Sequence, residues 1–356
     1  MPIILRNENN RPFKYDRNQS IEIERKLDKL LEILDNNNLS YAKATMFTSE
    51  IKANNLIEDL RDDLSYIEEV IKTKQFEPRI MNLYHGYKYI LKNQDINKET
   101  LRELYGILSA NLLEPGDLNN MGEYYRNGDV YVYQSTIMTK EGDKRADPKK
   151  LDYLMNMLFD YINTYEDLSI TEHYIKSQVI HFYLVNVHPY FDVNGRTSRT
   201  LAMWYLLNNT AYSYIIFNRG INFNKNKYYD VIKNTRHFLN LNSFVNYMLY
   251  NVKEELTKEI AIKDIKKEMS LSMYDIQTIN YLLSMTNNLT IKDFYKFYKR
   301  FNERIPMNDI KEQVLKSLID KEIIIMGDYS KTNPENQKFS INENLIPTYL
   351  QLKRND

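Results

Sequence analysis

Cysteine is absent from the 356 residues, which excludes disulfides, thiolate zinc sites, iron–sulfur clusters and a cysteine nucleophile. Glycine is scarce, with 9 residues against a usual share of about 7%. Neither the P-loop nor the dinucleotide glycine pattern occurs, so no glycine-rich phosphate cradle is available. Net charge is missing as well. The 48 Lys and Arg side chains balance 48 Asp and Glu, leaving no global field to hold a polyanion or a membrane surface. No uncharged apolar run approaches the roughly 18 residues of a membrane span, and the segment Met1–Glu8 has too short an apolar stretch for a secretion signal. These absences predict a cytoplasmic protein with no membrane partner.

What is present is material for a core. Apolar residues make up 43% of the chain, including 30 Tyr and 14 Phe, enough to fold without covalent staples. The length predicts about two to three domains. Residues 1–20 read as polar and irregular. Apolar positions then recur at helical spacing over 20–35, 40–60 (with Ser40 as N-cap), 63–74, 78–93 and 97–112. Leu113-Glu114-Pro115-Gly116 ends that run. The period changes to two at Asp129-Val130-Tyr131-Val132-Tyr133, after the turn pair Asn127-Gly128, and Glu141-Gly142-Asp143 turns again. A small β-hairpin is expected there, inside a mainly helical chain. Helical spacing resumes at 149–165, 170–187, 195–208, 228–239 and 241–266. Three short helices (275–285, 290–301, 308–321) and two strands (323–326, 338–341) close the chain, the outline of a winged helix-turn-helix.

The densest polar cluster follows the 170–187 helix: His188-Pro189-Tyr190-Phe191-Asp192-Val193-Asn194-Gly195-Arg196-Thr197-Ser198-Arg199. Pro189 stops the preceding helix, and the next begins near Gly195 with Asn194 able to cap. Arg196 and Arg199 share one face of its first turn. Free N–H groups at a helix start plus two guanidinium groups suit a polyphosphate. Asp192 is a hard oxygen donor suited to Mg²⁺ held jointly with phosphate, and His188 could take a proton from an incoming hydroxyl. The parts fit attack by an alcohol on a metal-bound nucleotide phosphate.

This segment resembles the signature of Fic-domain proteins, keeping His188, Pro189, Asp192, Asn194, Gly195, Arg196 and Arg199 in register. It departs at Tyr190, where Phe is usual, and at Val193, where Gly is usual; a β-branched residue tolerates positive φ poorly. The resemblance covers about residues 40–250. It implies a mainly α Fic core with a β-hairpin flap over 129–140, whose strand Val130, Tyr131 and Val132 lays the target segment beside the site. It further implies transfer of AMP from Mg-ATP to a Ser, Thr or Tyr hydroxyl of a protein, the chain itself included. His188 would be the base, Asn194, Gly195, Arg196, Arg199 and Tyr229 would hold the nucleotide, and Asp192 would hold Mg²⁺. The aromatic pair Tyr228-Tyr229 resembles the pair that holds adenine, and Arg236 stands where a small polar residue is common.

The resemblance also suggests an inhibitory helix over 40–60, with Glu58 facing Arg199. A competing register through Ser49-Glu50-Ile51-Lys52-Ala53-Asn54 puts Lys52 at the glutamate position and leaves the enzyme unrestrained. The reading adopted is Glu58. It divides the chain into an N-terminal helical region (1–95), a catalytic core (96–250), a connecting helix (251–268) and a winged helix (269–356). His181 reads as a hydrogen-bonded core histidine. Residues 270–356 hold 12 basic against 11 acidic side chains, a weak footprint for DNA; protein contacts or a homo-oligomer fit the tail better than nucleic acid. Transfer of another phosphate-containing group, removal of AMP, and a DNA-binding regulator are the alternatives.

Overall fold

The structure, a computed structural model, describes residues 3–35, 43–60, 62–132, 142–210, 217–266, 269–285, 289–300, 305–327 and 336–354. Ser40, residues 133–140 of the expected flap, Glu141, the end of the 251–268 segment and Phe301 lie outside the described residues. In chain order the elements are α1 (Ile21–Asp35), α2 (Lys43–Ile57), α3 (Leu64–Thr73), α4 (Pro78–Ile90), α5 (Lys98–Ser109), α6 (Pro115–Asn119), β1 (Tyr131–Val132), β2 (Asp143–Lys144), α7 (Leu151–Asn163), α8 (Ile170–Val187), α9 (Asn194–Asn209), α10 (Phe217–Phe223), α11 (Lys225–Phe238) and α12 (Asn242–Lys266). Then follow α13 (Met273–Ser284), β3 (Leu289–Thr290), α14 (Ile291–Arg300), α15 (Lys316–Asp320), β4 (Ile324–Met326), β5 (Lys338–Ile341) and α16 (Pro347–Arg354). The protein is mainly α with a small antiparallel hairpin, as expected.

Two compact units are interleaved along the chain. One comprises Met1–Lys29 and Val70–Val252, the other Leu30–Glu69 and Lys253–Asp356.

The first unit is built around α8. Ser169 and Glu172 form a capping box at its start, and its side chains from Tyr174 to Val187 are buried on every face, which a helix tolerates only at the centre of a layer of others. α7, α9 and α11 pack directly on it, while α4 and α5 pack against α9. Each fully buried Val, Leu or Phe on such a helix contributes about 1.5–3 kcal/mol. Trp204 on α9 is buried and donates its Nε1–H to the Asn93 carbonyl at 2.7 Å. Gly86 lets α4 approach α5, because a Cβ there would meet Leu108 Cδ2 at 2.7 Å. The hairpin pairs Tyr131 with Lys144 and Val132 with Asp143. Asp143, read from sequence as a turn residue, is therefore in a strand. Pro115 opens the short helix α6 instead of ending a run, since proline is suited to a first helical position. Residues 3–14 are tied down too: Leu5 and Phe13 are buried, and Lys14 bridges to Asn240.

In the second unit a three-stranded antiparallel sheet has the order β3-β5-β4. The two expected strands pair through Ile324–Ile341 and Met326–Phe339; β3 adds a strand that is too short to show a period. Its core includes Ile279, Phe294, Tyr298, Leu318 and Phe339. The expected helix 308–321 is broken into a 3₁₀ turn (Met307–Asp309), a π-helical turn (Lys311–Leu315) and α15. α2 ends at Ile57, where the Leu60 N–H returns to the Asn55 carbonyl and Asp59 takes φ +63°.

Candidate active site

The loop between α8 and α9 is shaped by two left-handed residues. His188 caps α8 with φ 57° and ψ 60°, its N–H returning to the Leu184 carbonyl at 2.8 Å. Val193 precedes α9 with φ 63° and ψ 9°. The left-handed region is costly for any non-glycine residue, about 1–2 kcal/mol, and most of all for a β-branched one. The loop thus takes the conformation that glycine would favour and holds a buried valine in it.

Asn194 was expected as the cap of α9, but it is the first residue inside the helix, and Val193 offers no side-chain cap. The Asn194 amide closes the loop instead: its Oδ1 accepts from the Tyr190 N–H at 3.1 Å, and its Nδ2 donates to the Tyr190 carbonyl at 2.8 Å. An uncapped helix start leaves its first N–H groups, those of Asn194, Gly195 and Arg196, without intrahelical partners. Arg196 and Arg199 follow on the same turn, both mostly buried. Such a corner, with the positive end of the helix dipole, attracts phosphate.

His188 has its tautomer set by its own helix. Nδ1 lies 3.2 Å from the Val185 carbonyl, which can only accept, so Nδ1 carries the proton and Nε2 is the acceptor. Enclosure of the ring, then the charges of Arg145, Arg126 and Arg236, hold its pKa well below the usual range; the bond to Val185 opposes them. The imidazole is neutral near pH 7, the state a general base needs. Asp192 is exposed, with Oδ1 accepting from the Val193 N–H at 2.6 Å. Its charge reaches Asp117 on α6, whose carboxyl is raised by burial and then by Asp192.

Tyr190, where the resemblance expects phenylalanine, is an aromatic anchor of the loop. Its ring is fully buried and stacks on Tyr105, with centroids 3.6 Å apart and planes at 7°. Behind the loop, His181 is a core histidine as expected: Nε2 lies 2.9 Å from the Tyr228 hydroxyl, and burial and then Arg199 lower its pKa to about 3. Tyr228 is thereby committed to the core. Tyr229 is partly exposed on α11, its ring 5.2 Å from that of Tyr228.

Tyr131 and Val132 form β1, exposed and partly exposed, and the Val130 carbonyl beside them accepts from the Arg145 N–H at 3.0 Å. Arg236, from the last turn of α11, donates to the Asp143 carboxylate and to the Lys144 carbonyl in β2. Arg145 is buried, and that burial together with Arg236 lowers it to about 10. A cavity of about 150 Å³ adjoins this corner, lined in part by Asn7, Glu8, Asn186, Val187 and Arg236. Sequence reading missed Arg126 and Arg145, because single arginines before and after a hairpin carry no period or motif.

Glu58 was expected on an inhibitory helix. It stands one residue beyond the end of α2, exposed in the turn, because the chain leaves the helix at Ile57. Lys52, the competing position, is within α2 and buried, its Nζ 3.4 Å from Gln277 Oε1. No cluster of three metal-ligating side chains occurs among the described residues. Among them also, no helix is long and apolar enough to cross a membrane.

Residues 95–206 match the Fic/DOC family. Over 156 residues the chain is 30% identical to a protein adenylyltransferase Fic of Aedes aegypti, covering 43% of this chain and 28% of the relative. The chain thus spans little more than a quarter of that curated relative. Among solved structures, a Fic family protein from Desulfovibrio desulfuricans superposes with a TM-score of 0.59 at 16% identity, covering 93% of this chain and 98% of that one. Fic-1 from C. elegans gives 0.51 at 17% identity, covering 69% and 74%. Likeness at such identity speaks to the fold alone. The segment 95–206, with the loop and helix start described above, is a Fic domain.

Proposed function

We propose that the protein is a Fic-type adenylyltransferase, moving AMP from Mg-ATP to a Ser, Thr or Tyr hydroxyl of a protein, itself included. The observation that carries this reading is the pairing of a neutral His188, its Nδ1 occupied by Val185, with the uncapped, arginine-bearing start of α9 six residues later. The relative named protein adenylyltransferase supports the choice of AMP.

ATP phosphates would lie on the N–H groups of Asn194, Gly195 and Arg196 and on the Arg196 and Arg199 side chains, with the adenine against Tyr229. Mg²⁺ fits the donors present: Asp192 is a single exposed carboxylate whose charge already burdens Asp117, and Mg²⁺ commonly takes one or two carboxylates, phosphate oxygens and water. When bound there it would offset charge on the phosphates. The acceptor segment would lie along Val130, Tyr131 and Val132. His188 Nε2 takes the hydroxyl proton as the hydroxyl oxygen bonds to the α-phosphorus and the bond to the β-phosphate oxygen breaks, releasing pyrophosphate.

Restraint by Glu58 is part of the proposal; the Lys52 register is its rival and predicts an unrestrained enzyme. The winged helix-turn-helix reading of residues 269–356 is likewise proposed, as a surface for protein contacts.

The test of the donor is incubation with ATP, UTP, GTP and a phosphocholine nucleotide in turn, followed by intact mass. Added mass equal to AMP with ATP supports the reading. Added mass only with another donor keeps the fold and replaces the substrate.

A further inference from the structure

Arg126 sits between α6 and the flap with its side chain 1% exposed. Its guanidinium is held by main-chain carbonyls of three separate segments. Nε donates to the His188 carbonyl at 2.9 Å, Nη1 to Gly128 at 2.5 Å and Nη2 to Ala146 at 2.6 Å. The Arg126 main-chain N–H donates to the Pro189 carbonyl at 3.0 Å. Asp129, Glu8 and Asp147 act on it only through their charges.

Those partners have distinct places in the site. Gly128 enters the flap and Ala146 leaves it, next to the Arg145–Val130 bond that closes the strand pair. His188 is the proposed base, and the carbonyl that Arg126 grips belongs to the residue whose backbone is left-handed. Gly128 also lies under the loop, since a Cβ there would meet the Phe191 ring at 3.3 Å. A planar fork can serve three acceptors in fixed directions; a lysine ammonium cannot hold that pattern. Charge-assisted bonds to all three offset the cost of burying the cation.

We propose that Arg126 is a positioning residue for transfer: one guanidinium fixes the backbone of His188 relative to both ends of the strand pair that presents the acceptor. The proposal rests on the transferase reading above. Arg126 belongs to neither the nucleotide-binding turn nor the flap strands, so it acts through the geometry between them.

The test compares the full-length Arg126→Lys and Arg126→Met variants with wild type, Met preserving an unbranched apolar stem. Three quantities are read: kcat and KM for AMP transfer, the dissociation constant of a non-hydrolysable ATP analogue with Mg²⁺, and hydrogen exchange of the Arg145 and His188 amides. A misplacement of about 1 Å costs on the order of 10²-fold, so kcat should fall by about that factor in both variants. Lysine should not rescue it. Nucleotide affinity should stay within about threefold, and both amides should exchange at least about tenfold faster. Wild-type kcat in Arg126→Lys overturns the proposal, as does unchanged amide exchange in Arg126→Met. Loss of nucleotide affinity in proportion to kcat also overturns it, by showing general damage. If wild type transfers nothing from any nucleotide, the transferase reading fails by itself. The amide exchange of Arg126→Met then still decides whether Arg126 holds the flap to the loop.

Discussion

The Tyr228 hydroxyl lies 2.9 Å from Nε2 of His181, tying the first turn of α11 to the middle of α8. Tyr228→Phe should remove the partner and leave Nε2 buried in a ring whose Nδ1 already has none. An unsatisfied buried polar atom costs about 1–3 kcal/mol, and denaturant unfolding at neutral pH should show a loss of that size.

The same histidine should make stability fall with acid. Its folded pKa is about 3, lowered by burial and then by Arg199, whereas the unfolded value is near 6.5. Between those values the unfolded chain binds the extra proton, so stability is full above about pH 6.5 and is lost as pH falls toward 3. His188 and His173 are lowered as well and add to the trend. Unfolding free energies at pH 7.5 and 5.5 should drop by roughly 1 kcal/mol more in wild type than in His181→Gln. Equal drops would mean that His181 does not titrate in this way.

At Val193 the left-handed backbone should reverse a familiar order. Alanine keeps a Cβ at φ 63°, while glycine relieves the strain; both lose the buried valine methyls. Val193→Gly should therefore be more stable than Val193→Ala by about 0.5–1 kcal/mol, read by thermal or denaturant unfolding.

The two registers of the N-terminal segment separate by mutation. If Glu58 restrains the enzyme, Glu58→Gly raises self-modification severalfold and Lys52→Ala does not. If the Lys52 register holds, Glu58→Gly changes nothing and Lys52→Glu suppresses labelling. Quantified label per chain under one set of conditions decides between them.

Much of the molecule was legible in its sequence, for local reasons. Helical spacing over 97–112 and 170–187 was read directly, and the structure adds a capping box at each start, Asn97 with Thr100 and Ser169 with Glu172. The twelve residues from His188 carry a helix stop, a polar loop and a helix start within one turn of each other. The apolar run 323–326 and the alternating Lys338-Phe339-Ser340-Ile341 read directly as strands, and they pair. What stayed hidden was non-local. Nothing in residues 30–69 signals that they group with the segment beyond Lys253. Arg126 acts through backbone carbonyls, so no side-chain pattern marks its partners. The left-handed Val193 ran against residue preference; the loop's closure by Asn194 and Tyr190, with the Val193 N–H held by Asp192 and its carbonyl by Thr197, over-determines it.

The most direct test of the central claim is incubation of the purified chain with Mg²⁺ and α-labelled ATP, beside His188→Ala. Removing a general base costs typically 10²–10⁴-fold. The account predicts label on the wild-type protein and at least about a hundredfold slower labelling in His188→Ala. Label that persists at the wild-type rate in His188→Ala would contradict it.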